Sequence, residues 1–368
     1  MASILKNMMV AGLLAGSAGI VVAQQPASKP TTPPVSTMSN TSAPATDGAT
    51  KAKPFAAPGT PGSPINGETF HAQVLLDVAG FPAGVIDGKK GMSFGQAIKG
   101  FQSAKGLPET GKLDGPTRDA LLAQNRQSTV MVKLSADQVA GPFINPIPTD
   151  TGEKAKLPGL YYRNMIEKLA EEYHTTPETI IALNGSDAMI GEGQTLRLPN
   201  IAPNTRNYRN SAKGDVVALM NLLNVDAGDI TGTSIVVDKS DGVLKVMGDG
   251  DKIVAQFPVT MGSTHDPLPL GEWKVTTYAF LPPFHYQPNL FWDAKDKGAP
   301  DQMLKPGPNG PVGVAWLDLN KEHYGIHGTP SPETIGRAES HGCIRMTNWD
   351  VLRLSQMLKP GSKAIFQA

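Results

Sequence analysis

The hydrophobic positions between residues 67 and 126 repeat at helical spacing. One stripe includes Phe70 and Val74, and a second runs from Phe94 to Phe101, with Ser93 placed to cap its helix. The turn-forming sequence "DGP" then starts a third short helix. This pattern predicts a compact three-helix bundle.

A second small unit is predicted for residues 158–201. Leu169 and Tyr173 mark one face of a helix, and Thr176 and Pro177 start another helix. The closing sequence "QTLRLPN" is typical of a strand. The unit is therefore expected to be a small α+β module in which two helices lie between short strands.

From residue 233 to residue 368 the pattern becomes that of a sheet. Short runs of Val, Ile and Leu alternate with Ser-Asp-Gly and Gly-Asp-Gly turns, as in an antiparallel meander. Thr347 or Asn348 is placed to cap a late helix, which Pro360 and Gly361 end. The aromatic, proline-rich residues 278–300 are expected to form an ordered loop. This part predicts a mainly β domain, a β-sandwich or barrel with a few helices, and the whole chain is multidomain.

The remaining segments are predicted to be a leader and connections. Residues 1–23 have the lysine, apolar run and small-residue cleavage pattern of a secretory signal peptide. The apolar run is shorter than the roughly 20 residues of a membrane-spanning helix, so no integral span is expected after cleavage. Residues 24–66, rich in Pro, Ser and Thr, are predicted to be a disordered linker. Residues 127–157 are expected to be a second linker and residues 202–232 a connecting segment.

The charge composition limits the range of partners. The chain has 33 Lys and Arg residues against 33 Asp and Glu residues, so its formal net charge is zero at pH 7. This balance argues against a broad surface for nucleic acid or anionic lipid.

The chemistry concentrates around the single cysteine, Cys343, in the stretch "SHGCIRM". His341 and Gly342 precede it, and His327 lies on an earlier segment that a sheet could bring close. Histidine can accept a thiol proton near neutral pH, and a glycine leaves room for a substrate backbone and for N–H groups that bind an oxyanion. These residues supply a nucleophile, a base and donors for acyl transfer.

Three other roles for Cys343 fit the sequence less well. A zinc site could use His323, His327, His341 and Cys343, but the cysteine pairs of structural zinc sites are absent. Redox chemistry requires a resolving thiol, and the chain has one cysteine. The third alternative is a buried structural cysteine, against which the two His-Gly pairs and Arg345 argue. We therefore predict neither a metal nor a cofactor.

Three stretches resemble known families. The stretch "AGFPAGVIDGKKGMSFGQAIKGFQSAKGLPETGKLDGPTRDALL" resembles the peptidoglycan-binding domain, and "YHTTPETIIALNG" with "IGEGQTLRLP" resembles the LysM carbohydrate-binding module. The LysM opening Gly-Asp-Thr is missing here, so a spacer is an equal alternative for that unit. The pair "YGIHGT" and "SHGCIRM" resembles the L,D-transpeptidase catalytic domain of the YkuD type.

The transpeptidase resemblance implies roles for individual residues. Cys343 would be the nucleophile and His327 the proton acceptor. Further residues would form the substrate pocket or the oxyanion site: Tyr324, Gly328, Ser340, His341, Gly342 and Arg345. Arg345 stands where many members have Asn, and its guanidinium could hold a substrate carboxylate or form a structural ion pair.

The resemblance also implies a function. The protein would be an exported enzyme of the periplasm or cell wall, with peptidoglycan stem peptides and glycan strands as its partners. Its thiolate would form an acyl-enzyme with a stem peptide, release a terminal D-amino acid and transfer the acyl group to an amine, linking third stem residues. The two preceding units would enrich the enzyme on the wall. Two alternatives stay open, an L,D-carboxypeptidase on the same domain and a wall-binding protein without activity.

Overall fold

The computed structural model describes residue 58 and residues 63–208, 214–226, 230–337 and 342–368. The predicted signal peptide and most of the predicted linker at residues 24–66 lie outside these ranges. None of the helices within them is both long and apolar enough to cross a bilayer. The α-helices are α1 (Gly67–Val78), α2 (Met92–Lys105), α3 (Gly115–Leu122), α4 (Ala136–Val139), α5 (Thr151–Ala155), α6 (Met165–Glu172), α7 (Pro177–Asn184), α8 (Gly214–Leu222) and α9 (Asn348–Met357).

The three predicted N-terminal helices are confirmed as α1, α2 and α3. The side chains of Asn66 and Asp114 cap α1 and α3 by accepting backbone N–H groups of the first turn. The predicted cap of α2 by Ser93 is wrong. This helix follows Gly91 without a side-chain cap, and Ser93 lies inside its first turn.

The small α/β unit is built on two antiparallel strands, β1 (Thr129–Lys133) and β2 (Thr195–Pro199). Helix α7 starts after Thr176, as predicted. The opening strand β1 belongs to residues 127–157, which we expected to be a linker. Pairing with β2 along all five residues of β1 places that segment in the fold. The likeness of residues 158–201 to LysM stays a prediction.

The helical unit and the small α/β unit share one hydrophobic core. Phe70 and Val74 of α1 belong to the same buried cluster as Leu169 of α6 and Leu198 of β2. Packing of this kind removes apolar surface of both units from water together, so each stabilises the other. The two units predicted from the sequence are therefore packed on one shared core.

The C-terminal part is dominated by a nine-stranded sheet of order β5-β4-β3-β13-β7-β10-β11-β12-β6. Its strands are β3 (Ser234–Asp238), β4 (Val243–Met247), β5 (Ile253–Pro258), β6 (Thr260–Met261), β7 (Gly271–Phe280), β10 (Ala315–Leu319), β11 (Gly325–His327), β12 (Ile344–Arg345) and β13 (Lys363–Gln367). The predicted antiparallel meander is confirmed as β3, β4 and β5. Two neighbouring pairs are parallel, β3 with β13 and β11 with β12.

Helix α9 packs on this sheet with its apolar side chains in the largest core. The Thr347 side chain accepts the backbone N–H of Asp350 at 3.2 Å, so Thr347 caps the helix and the other predicted candidate, Asn348, is its first residue. Residues 278–300 differ from the predicted loop. Tyr278 and Phe280 end β7, and Phe284–Tyr286 forms β8, which pairs with β9 (Gln302–Leu304). Two prolines between β7 and β8 separate the strands.

Candidate active site

Adjacent parallel strands bring the predicted nucleophile and base to one site. In the register of β11 and β12, His327 pairs with Arg345, and Ile326 pairs with Ile344. Cys343 directly precedes β12 and lies beside the start of β11. The three polar side chains of His327, Cys343 and Arg345 line one cavity of about 540 Å³.

His327 is held in one orientation. Its imidazole stacks on the Trp316 indole with centroids 5.3 Å apart and 14° between the planes. The Trp316 Nε1–H donates to the Asp318 carboxylate at 3.1 Å, which fixes the indole. His327 Nδ1 lies 2.7 Å from the Gly328 carbonyl oxygen, and since a carbonyl only accepts, Nδ1 carries the proton. Nε2 is then left as a proton acceptor.

Burial sets the charge of His327. The side chain is 4% exposed. Burial lowers its pKa to about 4, and the positive charge of Arg345 acts in the same direction, while the bond to Gly328 opposes the change. At neutral pH the imidazole is therefore uncharged and can serve as a base.

The Cys343 thiol is also uncharged at rest. Burial raises its pKa, which outweighs a backbone hydrogen bond from Gly325 and the positive charge of Arg345. The sulfur lies 3.6 Å from the His323 carbonyl oxygen, to which the thiol donates. The site therefore rests as a neutral thiol and a neutral imidazole. A thiolate has to form by proton transfer as the sulfur attacks.

A glycine is required before the cysteine. Gly342 has a φ of 95°, in the left-handed region. A Cβ at this position would lie 2.9 Å from Cε1 of the Tyr324 ring. Lys321 Nζ lies 4.8 Å from the centroid of that ring and holds it from another side. The contact between Tyr324 and Gly342 thus fixes the backbone conformation immediately before Cys343.

Arg345 is half-buried at the cavity wall. Burial lowers its pKa, and the negative charges of a Cys343 thiolate and of Asp293 oppose that change. A guanidinium facing the thiol can stabilise negative charge at the sulfur or hold an anionic group of a ligand. Asp266 lines the same cavity and tends to raise the thiol pKa.

Much of the remaining cavity wall is apolar, although His285 and Gln287 also line it. The turn between β7 and β8 and the segment after β8 contribute prolines and large side chains, namely Pro282, Pro283, Phe284, Leu290 and Phe291. Such apolar surface suits the aliphatic parts of a peptide.

The structure brings together five of the eight predicted site residues in or against this cavity: Cys343, His327, Arg345, Tyr324 and Gly342. Gly328 lies behind His327 and accepts its Nδ1–H. Ser340 and His341 lie outside the described residues. Of the zinc ligands considered, His323, His327 and Cys343 line the cavity, but no group of metal-binding side chains occurs in the described part of the chain.

Sequence analysis missed Trp316, Asp266 and Asn348. Trp316 pairs with His327 across β10 and β11, and a Cβ at Gly325 would meet its ring at 2.3 Å. The "YGIHGT" motif contains that glycine, but nothing local indicates which ring it faces. Asn348 accepts the Val314 N–H at 3.1 Å in the buried wall behind Gly328.

A buried imidazole acceptor, a thiol and a cation thus lie together where paired strands end, and thiol-based acyl transfer requires groups of these kinds. Comparisons with known proteins show which families the chain is similar to. The family model described as "L,D-transpeptidase catalytic domain" matches residues 232–365. The model described as "Putative peptidoglycan binding domain" matches residues 67–121.

Two relatives are similar to this chain, and the second is similar enough to show the family. The chain is 28% identical to "Putative L,D-transpeptidase YkuD" of Bacillus licheniformis over 201 residues, covering 54% of this chain and 90% of that protein. It is 32% identical to "Putative L,D-transpeptidase YqjB" of Bacillus subtilis over 136 residues, covering 36% of this chain and 69% of that protein. The chain belongs to the L,D-transpeptidase family of the YkuD type.

Solved structures of similar proteins carry the same family name. An L,D-transpeptidase from Mycobacterium smegmatis is 20% identical with a TM-score of 0.30, covering 36% of this chain and 58% of that one. An L,D-transpeptidase from Xylanimonas cellulosilytica is 14% identical with a TM-score of 0.33, covering 86% of this chain and 98% of that one. The chain thus spans little more than half of the mycobacterial protein.

Proposed function

We propose that the protein is an exported peptidoglycan L,D-transpeptidase with Cys343 as its nucleophile. The observation that carries the proposal is the cavity shared by Cys343, the neutral imidazole of His327 and the guanidinium of Arg345. Membership of the family supplies the substrate class, and the peptidoglycan-binding match supports the same polymer.

Acylation starts from the neutral thiol of Cys343 and the neutral imidazole of His327. The Cys343 sulfur attacks the carbonyl carbon that joins the third stem residue to the terminal D-amino acid, and its proton passes to His327 Nε2. The carbon–nitrogen bond then breaks, and His327 returns the proton to the departing amine. The terminal D-amino acid leaves, and a thioester joins the stem peptide to Cys343. Backbone N–H groups near Gly342 supply donors for the oxyanion.

Transfer reverses these steps with a new amine. An amine of a second stem peptide attacks the thioester carbonyl and gives its proton to His327. The carbon–sulfur bond breaks, and the thiolate recovers the proton from the imidazolium. The product is a cross-link between third residues of two stems. Arg345 would hold a carboxylate of the donor beside the thiol.

The other segments would export the enzyme and hold it at the cell wall. We assign residues 1–23 to a signal peptide, residues 24–66 to a linker and residues 67–126 to peptidoglycan binding. Residues 158–201 would contact glycan or act as a spacer, and residues 233–368 would carry the catalysis. Sequencing the N-terminus of protein recovered from the cell envelope tests the first assignment, since cleavage exposes a residue near Gln24.

Mass spectrometry of the intact protein with muropeptides tests the activity. The wild-type chain should gain the mass of the donor stem less its terminal D-amino acid, and Cys343→Ser should gain nothing. Adding an amine acceptor should convert the adduct into cross-linked dimer. An unmodified wild-type chain, or an equal adduct on Cys343→Ser, would show that Cys343 is not the nucleophile.

A further inference from the structure

Asn348 connects the backbone behind the active-site histidine to a carboxylate of the small α/β unit. It is the first residue of α9 and is buried. Its side-chain oxygen accepts the Val314 N–H at 3.1 Å. Its amide nitrogen donates to Glu171 Oε1 at 2.6 Å, across 177 positions of the sequence. One side chain thus joins α6 to the catalytic sheet.

The position of Asn348 limits where Gly328 can lie. A Cβ at Gly328 would be 2.1 Å from Asn348 Oδ1, so the backbone and the amide are in direct contact. The Gly328 carbonyl accepts the Nδ1–H of His327 and selects the tautomer with Nε2 free. A movement of Asn348 would therefore move the carbonyl that orients the base.

Glu171 holds Asn348 from the far side. It lies on α6 at 6% exposure, and Tyr162 donates its hydroxyl to Oε2 at 2.5 Å. Both hydrogen bonds to the carboxylate come from neutral donors, Tyr162 and Asn348. The bonds are strongest when the carboxylate is charged, because a charged acceptor strengthens a hydrogen bond.

We propose that Glu171 is a positioning residue for catalysis: through Asn348 and Gly328 it holds His327 in the tautomer and orientation that accept the Cys343 proton. The proposal rests on the function proposed above. It gives the small α/β unit a part in the reaction itself, in addition to any contact with the wall.

The ionisation of Glu171 should make the acylation rate depend on pH. Burial raises its pKa to about 7, with the Glu167 charge adding to the rise, while the bonds from Tyr162 and Asn348 oppose it. The titratable groups that face it are Tyr162, from the preceding loop, and Glu167, on its own helix. The cavity that Glu171 lines also contains Arg163, Glu178 and Glu333. Acylation should therefore weaken as pH falls through 7, although His327 itself titrates near 4.

The test compares the pH dependence of acylation by a muropeptide in three variants. Glu171→Gln keeps an oxygen for Asn348 but does not titrate, so its acylation rate should stay flat through pH 7. Glu171→Ala should lose roughly tenfold in rate with little change in KM, because a displaced base affects chemistry more than binding. Glu178→Gln, an exposed carboxylate on the same cavity, should behave as wild type.

A substrate-free measurement separates this proposal from the proposed function. Nitrogen-15 NMR of the His327 ring above pH 7 should show one tautomer with Nδ1 protonated in wild type and a mixture of tautomers in Glu171→Ala. A single tautomer in Glu171→Ala, or an unchanged step near pH 7 in Glu171→Gln, would overturn the role of Glu171. A wild type that forms no acyl-enzyme would overturn the function instead, while the NMR result would stand.

Discussion

Asp77 Oδ1 and Arg353 Nη2 lie 2.6 Å apart, although 276 residues separate them in the chain. Both side chains are at most 1% exposed. The His174 imidazole lies 3.1 Å from the same carboxylate and stacks on Trp349 at 4.7 Å. This cluster joins α1, the small α/β unit and α9, so the three parts of the chain are expected to unfold together.

Arg353→Met should destabilise the whole described fold. The variant leaves the Asp77 carboxylate buried without its cation, which costs about 3–5 kcal/mol of unfolding free energy. Urea denaturation measures the change. The matched control is Arg118→Met, since its ion pair with Glu68 has the same 2.6 Å length but is roughly half exposed, and exposed pairs contribute about 1 kcal/mol or less. Equal losses in the two variants would contradict the prediction.

Acid should weaken the same cluster. Burial alone would raise the pKa of Asp77, but the charges and hydrogen bonds of Arg353 and His174 hold it well below its ordinary value. A depressed carboxyl pKa stabilises the fold above the unfolded-state value of about 4, and this stabilisation is lost as pH falls below it.

Local patterns explain why much of the fold could be predicted from the sequence. Cap residues such as Thr176 and Thr347 accept N–H groups within three positions of themselves, so the neighbouring sequence is enough to predict the start of each helix. The alternation of residues 234–258 likewise fixes which side chains face the core. Cys343 and His327 could be predicted to lie in one site because both sit in short motifs, and they line the same cavity.

Contacts between residues far apart in the sequence could not be predicted from local patterns. The stripe containing Phe70 predicts burial, but does not show that Leu169 and Leu198 share its core. The sequence near Asp77 and the sequence near Arg353 do not indicate that the two residues form an ion pair. The raised pKa of Cys343 depends on burial by distant segments, whereas sequence reasoning considered only the neighbouring histidines.

Replacement of Gly342 tests the constraint before the nucleophile. Gly342→Ala should lower the acylation rate, because the new Cβ meets Tyr324 and displaces Cys343. Gly361→Ala is the matched control. Its φ of 94° equals that of Gly342 within a degree, but a Cβ there meets nothing within 4 Å. Both variants should lose about 1 kcal/mol or more of stability from the backbone. Equal acylation rates per folded molecule would show that the contact is unimportant.

The neutral resting pair gives a distinct prediction for thiol alkylation. The iodoacetamide rate of wild type should rise with a midpoint above the free-thiol value of about 8.5, because burial raises the Cys343 pKa. His327→Ala should leave that midpoint nearly unchanged, since an uncharged imidazole does not stabilise a thiolate, yet it should abolish acylation. His71→Ala, on α1 and outside this cavity, should retain both. A near-neutral wild-type midpoint that rises in His327→Ala would instead indicate a preformed ion pair.

Arg345 is expected to act on substrate binding through its guanidinium. Arg345→Gln keeps the polar character of the side chain but cannot pair with a carboxylate, and a charged hydrogen bond contributes about 1.5–3 kcal/mol. The KM for the donor stem should therefore rise by roughly tenfold to a hundredfold. Arg345→Lys should recover part of this loss, because an ammonium keeps the charge without the bidentate geometry. Arg337→Gln, an exposed arginine outside the catalytic cavity, is the control.

Steady-state kinetics with a donor whose carboxylates are amidated completes the test. If Arg345 binds a carboxylate, wild type and Arg345→Gln should have similar KM values for the amidated donor. A KM difference that persists with that donor would assign Arg345 to the structure of the site.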